Sequence, residues 1–199
     1  MTTVASIQQG GTSANSAAAA LTNLGAVNRA GDTMTGLLNV ANATSIVTTG
    51  NVGFGTATPS SRLHIVGTTI IEEILEKANV FSSAVGANTN YDVLDCAVQY
   101  YTANATSNTT LNIRGNSTVT LNSVMSVNQS LTLSFIMTNG ATAYRVANIQ
   151  LDAVNTAIRW SGGSAPTACS NSAEAYAVTV VKTGTAAVYN IFASKTQFA

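Results

Sequence analysis

Charge is what this sequence has least of. Only 8% of its 199 residues are Asp, Glu, Lys or Arg, against roughly 25% in ordinary soluble domains. Eight basic residues balance eight acidic ones and are scattered along the chain. No electrostatic footprint for nucleic acid or an anionic membrane is therefore present. The scarcity of Glu and Lys argues against a largely helical protein, because exposed helix faces are usually built from them. Two cysteines, Cys96 and Cys169, are too few for a disulfide framework and form no metal-site pattern. They are expected as free buried thiols, with a single bridge in the C-terminal domain as the alternative. No apolar run approaches the ~20 residues that cross a bilayer, so no membrane insertion is expected. Residues 1–10 lack the basic and apolar regions of a signal peptide, which points to a protein made in the cytoplasm.

The missing charge is replaced by Thr, Asn, Ser, Ala and Gly, small neutral residues suited to repetitive β surfaces and side-chain-bonded turns. Hydrophobic content is an ordinary 46%. A neutral surface has little protection against self-association, so this composition favours burial between subunits.

Near the N-terminus, Ser16 is a plausible N-cap for the run Ala17 to Leu24, and Gly25 sits where a helix would stop. A short helix is expected there, with a flexible low-complexity leader as the alternative. Residues 31–67 follow as short apolar pulses at 36–40, 45–48, 51–54 and 62–66, each bounded by turn residues. Each is long enough for one strand and buries too little to stand alone. Three chains winding such strands together would close a common core and remove exposed edges. Met34, Leu37, Val40, Ile46, Val52, Phe54, Leu63 and Ile65 are the candidate contacts between chains.

Several of these residues carry a resemblance. Gly10-Gly11-Thr12 with Asn23-Leu24-Gly25, then Gly31-Asp-Thr-Met-Thr-Gly36, then Val52-Gly-Phe-Gly-Thr56 with Thr58-Pro-Ser60 and Leu63-His-Ile65, resembles the shaft repeats of tailed-bacteriophage tail fibres. The hexapeptide is the most specific element, and the likeness covers about the first 67 residues. It implies a homotrimeric, β-rich virion fibre, assembled in the host cytoplasm and contacting other tail or neck proteins. Such fibres are often much longer, so roughly one set of repeats implies a short fibre, a fibre tip or a link between tail parts. Residues 160–166 and 189–198 are more loosely similar to terminal domains of structural proteins from cyanobacterial phages.

Residues 68–79 hold Ile70, Ile71, Ile74 and Leu75 at helical spacing, with Glu73 and Lys77 as an i,i+4 pair. A short helical linker is expected. Ile71 and Ile74 would lie at the seam of a three-stranded coil, since isoleucine at inward positions favours three strands. The alternative is one amphipathic helix packed on the next domain.

Residues 80–199 have the regularly spaced strand and turn signals of a β-sandwich-like head. Candidate strands are 91–101, 109–113, 119–121, 131–137, 144–151, 157–160, 175–182 and 187–193. The expected architecture is thus mainly β: a trimeric fibrous shaft with a short helix over 1–67, a linker over 68–79 and the head over 80–199.

Chemistry is sparse. The single histidine, His64, has no carboxylate, cysteine or second histidine near it in sequence, so no metal, cofactor or catalytic residue is assigned. Glu72/Glu73 and Asp92/Asp95 are the only paired carboxylates weighed for a glycosidase, which needs two facing one cleft. They look like a solvated helix face and a strand flank. If the head binds a host cell-surface glycan or protein, Trp160, Arg159 and Tyr144 are the candidate contacts. The alternative for Trp160 is a core residue. A fibre presenting the head for attachment is the leading function. A neck, collar or capsid-surface connector is the second, and a glycan-degrading tailspike the third.

Overall fold

A computed structural model describes Ser16 and residues 50–199. The helix expected after Ser16, the strands expected at 36–40 and 45–48, and the candidates Met34, Leu37, Val40 and Ile46 lie outside the described residues. The chain divides into two compact units, Met1–Ile70 and Ile71–Ala199. The division falls inside the segment expected to link shaft and head.

In the first unit, β1 (Val52–Phe54) pairs in parallel with β2 (Leu63–Ile65). Three-residue strands bury little, and the connecting loop holds itself with its own polar groups. Asn51 donates to Pro59 O at 3.1 Å, Ser61 Oγ donates to Leu63 O at 2.7 Å, and Ser60 N donates to His64 Nδ1 at 3.3 Å. His64, on β2, thus accepts from the backbone of the loop that leads into its own strand. Gly55 closes this loop at φ +74°, where a Cβ would lie 2.6 Å from Val66 O, so only glycine fits.

The helix expected over 68–79 is not formed: residues 68–77 have no regular secondary structure. Two helical turns contribute too few hydrogen bonds to offset nucleation, and the isoleucine face gains no burial. Ile70 and Leu75 are 93% and 91% exposed, and Ile71 and Ile74 are exposed as well.

From Ala78 the second unit is built of two sheets. The chain lays one strand on each in turn: β3 (Ala78–Ala84), β5 (Val98–Asn104) and β7 (Ser130–Asn139) on one, β4 (Asn88–Asp92), β6 (Thr109–Arg114) and β8 (Val146–Leu151) on the other. Within each trio neighbours run parallel. Parallel neighbours need a long connection, and here the opposite sheet's strand supplies it. β9 (Val154–Asn155) then folds back on β8, while β10 (Ile158–Trp160), β11 (Ser172–Gly184) and β12 (Val188–Phe198) complete a six-stranded sheet of order β10-β12-β11-β7-β5-β3. The protein is mainly β, as its composition predicts.

Alternation decides the faces. Leu133, Phe135 and Met137 of β7 and Tyr176, Val178 and Val180 of β11 are buried, and they share one core with Tyr91, Leu111, Ile113, Ile149 and Leu151 of the other sheet. The strands expected near 109–113, 131–137, 144–151, 157–160, 175–182 and 187–193 are present.

Two expectations are corrected. Residues 91–101 are two strands on different sheets, not one, with an Asp92–Asp95 turn between them (Asp95 N to Asp92 O, 3.0 Å). No Gly or Pro marks that corner. It is held instead by the fully buried Tyr91, whose hydroxyl donates to Ala97 O (2.5 Å) and Ser134 O (3.3 Å). Residues 119–121 are not a strand but lead into a one-turn helix, α1 (Leu121–Val124). Thr120 caps it, and the Asp152 carboxylate accepts from Leu121 N and Asn122 N.

Lys182 of β11 ties α1 to the sheet. It is buried, and its ammonium donates to Asn122 O (2.8 Å) and Met125 O (2.6 Å). Lys182→Met would strand both carbonyls. Hydrogen bonds to charged groups contribute about 1.5–3 kcal/mol, so a loss of about 2 kcal/mol is expected in urea unfolding. A change under 0.5 kcal/mol would contradict this role.

Candidate functional site

Two places on the second unit could receive a partner. The first contains two of the sequence candidates. On β10, Ile158 and Trp160 turn towards the core, and the Trp160 ring meets Tyr176 edge-on at 6.4 Å. Arg159 is exposed opposite Phe192 of β12. Arg159, Trp160, Thr179 and Phe192 line a shallow depression of about 370 Å³. A turn at Ser161–Gly163 follows, in which Gly162 and Gly163 both have φ near +80°. On its far side a second depression of about 360 Å³ is lined by Trp160, Pro166, Thr167 and Lys195. Tyr144 lines neither. It lies on the β7–β8 loop, where the Asn139 side chain bonds its backbone N and O at 3.1 and 2.8 Å.

Beside the second depression lies a buried ionic cluster. Glu174 is fully buried and accepts from Cys169 N (2.7 Å), Lys195 Nζ (2.9 Å) and the Tyr176 hydroxyl (2.7 Å). Lys195 also donates to Thr167 O (2.7 Å) and Cys169 Sγ (3.3 Å). Burial pulls the Lys195 ammonium down, but the hydrogen bonds to Glu174 and Cys169 outweigh it and hold the group above the usual lysine value. Every polar atom here is engaged, which marks a structural cluster. Both cysteines are free; Cys96 is buried and Cys169 only partly so.

The second place was not found from sequence. β3 and β4 are the outermost strands of their sheets, and a polar cleft of about 500 Å³ is lined from both. Asn79, Phe81, Asn88, Asp92, Asp95, Gln99 and Tyr101 contribute. Phe81 and Tyr101 stack with centroids 4.7 Å apart and planes 16° from parallel, forming one apolar wall. Burial, then the proximity of Cys96 and Asp92, pushes the Tyr101 phenol up, so it stays a hydroxyl. Asp92 is held by Arg114 through Nε (2.6 Å) and Nη2 (3.3 Å). Both carboxylate oxygens are thus engaged by one guanidinium, which makes Asp92 an anchor for Arg114.

Thus Asp92 and Asp95, paired in sequence as carboxylates, do share a cleft, while Glu72 and Glu73 lie in the irregular 68–77 segment. Phe81, Gln99 and Tyr101 were missed. The available signal was Gln99, an amide at an inward position between apolar neighbours. Among the described residues no group of three or more His, Cys, Asp or Glu could hold a metal ion, and no helix is long and apolar enough to cross a membrane. The chain matches no protein-family model, no curated protein and no solved structure.

Proposed function

We propose that this chain is a structural component of a tailed-phage virion: a short homotrimeric tail fibre or fibre tip whose β-sandwich-like head is presented to a host surface or to another tail protein. The supporting observation is the run of exposed apolar side chains in a chain with so little charge. Phe54 and Leu63 are 53% and 56% exposed, and Ile65, Val66, Ile70, Ile71, Ile74 and Leu75 are exposed with them. Apolar exposure on this scale marks a surface awaiting a partner. Two strands of three residues cannot be stable alone, and packing against two further copies would bury Phe54, Leu63 and Ile65 at about 25 cal/mol per Å². The same burial would give Ile71 and Ile74 a reason to order. The phage assignment itself rests on the shaft-like motifs. A neck, collar or capsid-surface connector would use the same assembly without touching the host.

Light scattering of the purified chain tests the assembly. The expected mass is about three times the 20.3 kDa of one chain, and Ile71→Asp with Ile74→Asp should lower it. A monomer at micromolar concentration would overturn the fibre reading. Binding of the full chain to host cells would separate attachment from connection.

A further inference from the structure

We propose that the cleft between β3 and β4 is a binding site for a neutral saccharide. It rests on reading the head as an attachment domain, and its test does not depend on trimerisation.

Gln99 carries the inference. Its side chain is only 3% exposed, Nε2 donates to Asn90 O at 3.4 Å, and Oε1 has no partner. An unpaired buried amide oxygen costs about 1–3 kcal/mol, and native proteins rarely keep one without a use. Exchanging the amide O and N leaves one atom unpaired all the same and sets two acceptors against each other at Asn90. The residue itself contributes to the lining of the cleft, so a ligand donor settling on the cleft floor is the nearest partner that this buried oxygen could gain.

The rest of the lining defines that ligand. The Phe81–Tyr101 wall offers an apolar surface for the C–H face of a sugar ring, while Asn79, Asn88 and Asp95 offer amides and a carboxylate for hydroxyls. Arg114 neutralises Asp92, and no Lys or Arg lines the cleft. The one charge left over is that of Asp95, which disfavours sialylated, sulfated or phosphorylated sugars. A volume of about 500 Å³ lies within the small-molecule range of about 300–1,000 Å³. Addition of a peptide strand to the β4 edge is disfavoured, because the Gln99 amide already occupies the Asn90 carbonyl that an added strand would pair with.

The test is saturation-transfer NMR on the intact protein with maltose, lactose, mannobiose and N,N′-diacetylchitobiose, plus 3′-sialyllactose as the anionic probe. Transfer to at least one neutral disaccharide is expected, with millimolar affinity, and sialyllactose should bind no better than lactose. Gln99→Leu and Asp95→Ala should each weaken binding at least tenfold, while Arg159→Ala, at the other depression, should not. Gln99→Leu removes the unpaired oxygen together with one long bond to the carbonyl of the exposed Asn90, so its Tm should stay close to that of the parent, and lost binding would not be lost folding. The proposal is overturned if none of the four neutral disaccharides binds, or if binding survives Gln99→Leu and Asp95→Ala. It is equally overturned if Arg159→Ala abolishes binding, or if an extended Thr/Val decapeptide binds in place of the sugars. Binding by a monomer would uphold the cleft while overturning the trimer. A trimer that binds none of them would do the reverse.

Discussion

Lys195→Met is expected to destabilise the second unit by about 3–5 kcal/mol, the range for breaking a buried ion pair from one side. The substitution removes the ammonium and leaves the Glu174 carboxylate fully buried, with only Cys169 N and the Tyr176 hydroxyl as donors. Domains of this size have roughly 5–15 kcal/mol in hand, so the loss is a large fraction of the total. Urea unfolding should show a lower midpoint with an unchanged slope. Adding Glu174→Gln should restore more than half of the loss, since a neutral amide still accepts from Cys169 N without needing a counter-charge. A loss below 1 kcal/mol, or a double variant no better than the single, would show that the pair is not coupled as its geometry implies.

Alkaline unfolding is the second large effect. Burial is the main cause pushing the phenols of Tyr91 and Tyr176 far above the ordinary tyrosine value, and the hydrogen bond to Glu174 adds to it for Tyr176. Lys195 is raised as well. A group that holds its proton more tightly when folded contributes stability that is complete below its unfolded pKa and is lost as pH rises towards its folded one. The window therefore opens near pH 10. Each fully protected tyrosine removes about 1.4 kcal/mol per pH unit there, so the pair should cost about 3 kcal/mol per unit above pH 10. Tyrosinate absorbance should appear as a cooperative step coincident with loss of circular dichroism, and Tyr176→Phe should make the stability loss less steep. A smooth titration of all tyrosines near pH 10 with the fold intact would contradict the burial of Tyr91 and Tyr176.

How much of this was legible in the sequence depends on the distance over which each feature is decided. The strands β7 and β11 were, because Leu131-Thr-Leu-Ser-Phe135 alternates cleanly and Tyr176-Ala-Val-Thr-Val180 loosely, and a half-buried strand shows itself by that alternation. The 91–101 run was not: the residues at its corner, Asp92 to Ala97, include no turn former stronger than Asp, and the bend is stabilised by contacts to Arg114, Gly115 and Ser134, distant in sequence. The helix expected at 68–79 had the right spacing but lacked, in one chain, anything for its isoleucines to pack on. Arg159 and Trp160 come together at one depression because they are adjacent in sequence. Tyr144, sixteen positions from Trp160, does not join them.

What the sequence determined by itself is therefore the near-absence of charge, the β character and the apolar residues placed where one chain leaves them exposed, all of which are set by composition and by spacing over a few residues. Only the tertiary structure decided that successive strands alternate between two sheets, that Lys195 closes on Glu174, and that Gln99 lies against the β4 backbone in a cleft with Phe81, Asp95 and Tyr101. Those outcomes depend on which strands pair across tens of residues, and that choice is made by the shared core and not by any local pattern.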